Sequence, residues 1–260
     1  MTVIHAVILG ALQGVTEFLP ISSSGHLVLA QRMMHVAGSS LSFDVFLHFG
    51  TLLAVLIALR SDIAALLARP RNRLLWLLIV STLPTVAIGL LLERTIELIF
   101  RSGATLGIEF VITGLLLLYV EATATPGGLQ AQDISYRRAF LIGIAQGAAI
   151  LPALSRSGLT LCATLGAGVE RQEAVRYSFL LSIPVILGAT AMELKNIGPL
   201  SWTGSLPLVC GMIASALTGY AAIRYLLRFI KHRSLRPFGY YVIALGLLVI
   251  GDQWFMHRFF

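Results

Sequence analysis

Residues 13–25 read QGVTEFLPISSSG, and residues 146–158 read QGAAILPALSRSG. An offset of 133 places Gln13 on Gln146, Gly14 on Gly147, Ser22 on Ser155, Ser24 on Ser157 and Gly25 on Gly158, five identities in thirteen ungapped positions. The differences carry the chemistry. Glu17 falls opposite Ile150 and Ser23 opposite Arg156, so one copy holds a carboxylate and an extra hydroxyl where the other holds a cation. Two Pro/Ser/Gly turns with complementary groups predict one composite site for an anionic ligand.

The surroundings of both copies are apolar. The chain is 57% hydrophobic and 12% charged, with mean hydropathy +0.86, against roughly 25% charged in soluble domains. Uncharged runs at Leu74–Leu92, Asn196–Ile223 and Pro237–Gly251 approach or exceed the roughly 20 residues a bilayer span needs, and Glu109 alone interrupts Ser102–Val120. A soluble helical protein is excluded on hydropathy. Met1–Thr16 has no formal charge, so the basic start of a secretory signal is missing and no cleavage is expected. The net charge of +7 resides in short loops between apolar runs, which fits membrane headgroups rather than nucleic acid. Cys162 and Cys210 lie in apolar stretches without metal-ligand spacing and read as packed thiols.

The expected organisation is a single membrane domain over 1–260. Repeat half one covers 1–120, a polar Gly/Pro connector 121–136, and repeat half two 137–260. Each half begins with an apolar helix broken at its Pro/Ser/Gly turn, near 18–26 and 152–158, and continues with three spans. These are at about 43–60, 74–92 and 104–120, then 175–193, 206–228 and 238–256. Broken backbone at membrane depth survives only where protein buries it or a wet cavity receives it. The fold class predicted is therefore an all-α integral membrane protein: six transmembrane helices plus two re-entrant helix hairpins in an inverted repeat. The hairpin tips enter from opposite faces and meet near the midplane, as in many transporters.

Gln13 and Glu17, four residues apart, share a helix face, and Ser22, Ser23, Ser24, Gly25 and His26 follow at the turn. Ionisable groups within a membrane point to function. Glu17 and His26 are of the types that move protons, and the serines supply a nucleophile or donors to phosphate oxygens. In the second turn, Ser155, Arg156, Ser157 and Gly158 precede an apolar helix whose N-terminus is suited to phosphate. Arg156 adds a planar fork of donors. Its anionic partner is either Glu17 or a ligand that displaces it. Spacing does not decide whether Glu109, Asp133 or His48 reach the site.

Gln13-x-x-x-Glu17-Phe-Leu-Pro-Ile-Ser-Ser-Ser-Gly-His26 and Pro152-x-x-Ser155-Arg156-Ser157-Gly158 resemble the two signature motifs of bacterial undecaprenyl-diphosphate phosphatases of the bacitracin-resistance type. The likeness extends to Phe43–Val55 and Arg137–Gln146 and so to nearly the whole chain. The first motif opens with Gln13 where the family has Glu or Gln, and Ala153 stands where glycine is usual. The resemblance implies hydrolysis of undecaprenyl diphosphate to the monophosphate and inorganic phosphate, recycling the lipid carrier of peptidoglycan synthesis. It implies Ser23 as nucleophile, with Glu17, His26 and Arg156 as its catalytic partners. Gln13, Ser22, Ser24, Gly25, Ser155, Ser157 and Gly158 would bind the phosphates. It also implies a divalent cation, Mg2+ or Ca2+, for which Glu17 is the evident ligand. The alternative is a lipid or small-anion transporter or flippase of the same architecture without chemistry. The substrate partner expected is a polyprenyl diphosphate lipid; nucleic acid is not expected, and a homodimer is left open.

Alternating the loops places thirteen cations on one face, from Arg60–Arg73, Arg137–Arg138, Arg171–Arg176 and Arg224–Arg236, and five on the other. The positive-inside rule makes the richer face cytoplasmic. The expected location is the bacterial cytoplasmic (inner) membrane, with both termini and the active-site opening extracytoplasmic.

Overall fold

The computed structural model describes residues 1–36, 41–69, 71–124, 128–194 and 202–256. Helices dominate it. In chain order they are α1 (Val3–Phe18), α2 (Ser23–Met33), α3 (Leu41–Ala58), α4 (Arg60–Leu67), α5 (Arg73–Ser102) and α6 (Leu106–Thr123). After a 3-10 turn at Ala131–Asp133 come α7 (Tyr136–Ala148), α8 (Arg156–Gly166), α9 (Arg171–Leu194), α10 (Trp202–Phe229) and α11 (Arg236–Gly251). Side-chain oxygens of Thr2, Asn72 and Ser135 accept from the exposed first-turn amides of α1, α5 and α7. Gly103, with φ of 63°, ends α5 in the left-handed conformation that glycine adopts without penalty.

Among the described residues, five helices contain a stretch long and apolar enough to cross a bilayer: Arg73–Leu92, Leu106–Thr123, Arg171–Met192, Ser205–Phe229 and Arg236–Met256. Helices α3 and α4 are together apolar enough for a sixth span or a re-entrant loop, with α4 bent away from α3 by 76°. The bend separates the expected 43–60 span from a short helix that hydropathy did not foretell. It falls where Arg60 and Asp62 end the apolar run. Helix α5 runs ten residues past the expected end at Leu92, into a charged segment. Large apolar side chains cover the outside, Leu91 being 82% and Leu248 70% exposed. Such a belt is far beyond what soluble monomers expose, and lipid is its natural solvent.

The limbs of the two broken segments are too short to cross. At 1.5 Å per residue, α2 and α8, of 11 residues each, reach about 16 Å, and α1, of 16, about 24 Å, against about 30 Å of hydrocarbon.

Packing follows an exchange of halves. Helix α1 lies along α10, while α7 lies along α5; α3 meets α9, and α6 meets α11. Glycines make these approaches close. A Cβ at Gly10 would overlap the Gly211 carbonyl oxygen, and one at Gly143, its equivalent at offset 133, the Ser81 carbonyl oxygen. Between α6 and α11, Gly107 abuts Gly246 and Gly114 abuts Gly239, two contacts that the exchange interconverts at an offset of 132. Small residues of this kind let membrane helices approach at backbone distance.

The connector is a packed strap. Helix α6 continues to Thr123, and Ala131 and Ile134 are buried. Leu129 bonds through its backbone to Gly168 and Glu170. The loops that carry most of the cations lie together. Arg73 donates to Ile134 O, Arg138 to Ala167 O, and Arg171 to Ile230 O and Arg233 O while pairing with Glu121.

Candidate active site

The two turns meet inside the molecule. Leu19 is extended, as a residue before proline prefers, and stops α1 at Phe18. Ser22 caps α2 by accepting from Gly25 N at 3.4 Å, and Ser155 caps α8 by accepting from Gly158 N at 3.0 Å, the same bond at the same offset. The cap starts α2 at Ser23, three residues before the expected resumption at His26. Ser22 Oγ donates to Pro152 O at 3.1 Å, and Ser157 Oγ donates to Leu19 O at 2.9 Å. Each turn thus holds the equivalent carbonyl of the other, and both helix N-termini face one place. There the unpaired amides and the two macrodipoles favour an anion.

Glu17 is the hub. Its Oε1 accepts from Arg156 Nη2 at 2.7 Å, and its Oε2 accepts from Ser23 Oγ at 2.5 Å and Gln13 Nε2 at 3.0 Å. All four residues lie at the junction, with Glu17 6% and Ser23 9% exposed. Arg156 keeps its Nη1 buried without a hydrogen-bond partner among the described residues, and Gln13 keeps its Oε1 likewise. His48, on α3, stands within electrostatic reach of Glu17.

His26 is held away from Ser23. Its Nδ1 lies 2.6 Å from Ser22 O, and its Nε2 lies 2.8 Å from the Tyr241 hydroxyl on α11. A carbonyl only accepts, so Nδ1 carries the proton, and in a neutral ring Nε2 accepts from the tyrosine hydroxyl. The ring stacks on Tyr241 and meets Phe110 edge-on. The group on the Ser23 hydroxyl is therefore Glu17.

Backbone geometry separates the two copies. Ser22 has φ of 68°, whereas Ser155 has φ of −74°. A non-glycine residue there costs on the order of 1–3 kcal/mol and persists only where its surroundings demand it. The strain sits beside Ser23. Alanine at 153 is accommodated without positive φ, because its amide donates to Glu109 Oε2 at 2.5 Å and its carbonyl accepts from Thr113. Thr113 also accepts from Ser155 N. One face of α6 thereby grips the second turn.

Of the remaining residues singled out from the sequence, Gly25 lies against Phe110 and Ala153, where any side chain would collide. Gly158 packs against Ser155, and Ser155 and Ser157 bond to each other at 3.2 Å. Ser24 is half-buried and bonds to none of the described residues through its side chain. Glu109 holds the second turn through Ala153 N, His48 bonds to the Asp44 carbonyl of its own helix, and Asp133 is exposed in the connector. Tyr241 and Thr113 had no signal of their own beyond a polar side chain in an apolar run. The spacing Glu109-x-x-x-Thr113 was a usable one, because it places both on one helix face.

A divalent cation has some fitting ligands. Among the described residues no three His, Cys, Asp or Glu side chains form a metal cage. The buried, unpartnered Gln13 Oε1 beside the Glu17 carboxylate suits an ion that takes one or two protein oxygens plus phosphate oxygens and water.

Fold and site together define a multi-pass helical membrane protein whose two broken segments converge on a carboxylate, a serine and an arginine. The chain belongs to the family described as bacitracin resistance protein BacA, which it matches over residues 6–248. It is 43% identical over 254 residues to the undecaprenyl-diphosphatase of Carboxydothermus hydrogenoformans, covering 96% of this chain and 97% of that one. It is 42% identical over 255 residues to undecaprenyl-diphosphatase 4 of Bacillus thuringiensis subsp. konkukian, covering 97% and 98%. The undecaprenyl-diphosphatase of Methanosphaera stadtmanae is 39% identical over 272 residues, covering 96% and 98%.

Proposed function

We propose that this chain is a membrane phosphatase that hydrolyses undecaprenyl diphosphate to undecaprenyl phosphate and inorganic phosphate, returning the lipid carrier to cell-wall synthesis. Near end-to-end similarity to proteins named for that activity supports the reading. The observation that carries it is local: the Ser23 hydroxyl rests on one oxygen of Glu17 while Arg156 holds the other. A transporter or flippase would not require a serine poised on a carboxylate, and no contact at the site favours one.

In the proposed reaction Ser23 Oγ attacks the terminal phosphorus as Glu17 takes its proton. A serine O–P bond forms, and the bond to the bridging oxygen breaks with its electrons, releasing the prenyl monophosphate. Water then attacks the phosphoserine and the Ser23 O–P bond breaks; Glu17 returns its proton to the Ser23 oxygen, and the protons of the water leave with the inorganic phosphate. Arg156, through its unpartnered Nη1, and the amides at the starts of α2 and α8 would hold the transferring phosphoryl oxygens. His26 would orient the first turn through Ser22 and Tyr241. A bound Mg2+ or Ca2+, held by Glu17 and Gln13 Oε1, would supply further charge neutralisation on the phosphates. The repeat halves 1–120 and 137–260 would each supply one re-entrant hairpin of a single domain.

The arginine-rich face is proposed as cytoplasmic, in the bacterial inner membrane, with both termini and the opening to the site outside. Asn72, at the start of α5, lies on that face and should resist impermeant thiol reagents as a cysteine variant in intact cells. Ser39, chosen on sequence grounds for the opposite face, lies outside the described residues.

The functional test is phosphate release from undecaprenyl diphosphate by protein purified in detergent. Release that chelator abolishes and Mg2+ or Ca2+ restores is expected. No release under any cation would overturn the phosphatase reading, and undiminished release in chelator would remove the cation from it.

A further inference from the structure

A basic groove that shares no lining residue with the paired turns lies where α9 begins and α10 ends. Two adjoining grooves share Arg224, Arg228 and His232. The larger, of about 530 Å3, adds Tyr225, Phe229 and Arg233. The smaller, of about 310 Å3, lies between the helices and adds Arg176 and Lys231. The neighbouring carboxylates are engaged. Glu121 pairs with Arg171, Glu173 with Arg176, and Glu170 accepts from the amides of Gln172 and Glu173. Arg224, Arg228, Lys231 and Arg233 have no carboxylate partner among the described residues.

Depth identifies the occupant. Arg224 and Arg228, one turn apart, lie in the last turns of the Ser205–Phe229 span, the level at which a bilayer places its phosphates. The floor is aromatic: Tyr225 packs on Phe229 at 5.5 Å and Phe229 on Phe238 at 5.3 Å. Aromatic rings favour the membrane–water boundary, and basic pockets between spans suit anionic lipid headgroups. A purely aqueous anion would need neither the aromatic floor nor the groove's opening beside the half-exposed Tyr225.

We propose that this groove is a binding site for the phosphodiester headgroup of an anionic phospholipid, distinct from the site of hydrolysis. Arg224 and Arg228 bridge its two lobes and contact the phosphate, Lys231 and Arg233 add charge at the rim, and Tyr225 and Phe229 support the glycerol and upper acyl chain. The inference does not depend on the phosphatase reading.

The test is native mass spectrometry of the detergent-purified protein titrated with phosphatidylglycerol or phosphatidylcholine. Phosphatidylglycerol adducts should dominate on the wild type and fall roughly tenfold in the Arg224→Gln/Arg228→Gln/Lys231→Gln variant, while Arg228→Lys retains them. Thermal stability and elution volume check the fold. If the triple variant does not fold, Arg224→Gln and Lys231→Gln singly should each show a partial loss. Equal phosphatidylglycerol binding by folded variants would overturn the proposal, as would equal binding of phosphatidylcholine by the wild type. Displacement of the lipid by millimolar inorganic phosphate would assign the groove to a soluble anion instead.

Discussion

Replacing Arg156 by lysine separates the two tasks proposed for this side chain. Nη2 holds Glu17 Oε1 at 2.7 Å, and Nη1 is buried with no partner. One planar fork can thus hold the carboxylate with one arm and a phosphate oxygen with the other. An ammonium is a single point of charge. In Arg156→Lys it retains the neighbouring carboxylate, so the cost in stability should be about 1 kcal/mol, the scale of one hydrogen bond. The phosphate arm disappears, and removal of one preorganised donor costs about 3–4 kcal/mol of transition-state stabilisation, or 10²–10³ in rate. The loss should fall mainly on kcat, with KM little changed, if the arm engages charge that develops during transfer. Phosphate release under saturating and limiting substrate, with thermal stability in the same detergent, measures both quantities. A lysine variant within threefold of wild type would refute the two-armed argument and leave Arg156 as a counter-ion. Glu17→Gln provides the control: it strands a buried guanidinium, and breaking such a pair from one side costs about 3–5 kcal/mol in stability.

Ser23→Ala should abolish turnover while substrate still binds, measured by equilibrium binding of labelled prenyl diphosphate; near-normal turnover would move the nucleophile to water or a neighbouring serine. Tyr241→Phe removes the 2.8 Å bond to His26 Nε2, so activity should fall about fivefold, for roughly 1 kcal/mol, with thermal stability nearly unchanged; full activity would remove Tyr241 from the machinery. Gly10→Ala places a methyl group against the Gly211 carbonyl oxygen and should destabilise by about 1–3 kcal/mol through overpacking, read as a lowered melting temperature in detergent, which an unchanged melting temperature would contradict.

The crossings were legible because hydropathy is a sum over many residues, and the paired turns because their duplication was ungapped. What escaped the sequence depends on distant parts of the chain. The bend after Ala58 and the extension of α5 past Leu92 fall at charged segments, where hydropathy says only that a span ends. The connector looked free because its polar residues outnumber Leu129, Ala131 and Ile134, which fasten it. Glu17 and Gln13 were paired correctly by helical spacing. That His26 is engaged by Tyr241 rather than by Ser23 was not readable, since Tyr241 lies 215 residues from His26 in sequence. Glu109 was visible as a charge in an apolar run, but its partner is a backbone amide in the other half, which side-chain patterns do not encode.

The asymmetry of the duplicated turns has a physical reason. Two helix N-termini converging on one point bring like partial charges together, so two copies both carrying arginine would repel, and two both carrying glutamate would compete with an anionic ligand. One carboxylate opposite one guanidinium closes the junction, as Glu17 and Arg156 do. Once the carboxylate is on one side only, the remaining groups diverge with it. Gln13 bonds to Glu17, while its equivalent Gln146 bonds to Thr85. Position 23 supplies a hydroxyl within reach of Glu17, whereas the equivalent 156 supplies the cation that balances it. The strained φ of Ser22 appears only in the copy that presents this hydroxyl, as expected if the strain aims Ser23 at the carboxylate. Relaxing it with Ser22→Gly should therefore keep the fold and reduce turnover through loss of the cap and of the contact with Pro152 O. A Ser22→Gly enzyme as active as wild type would show that neither the cap nor the interturn bond is needed to aim the nucleophile.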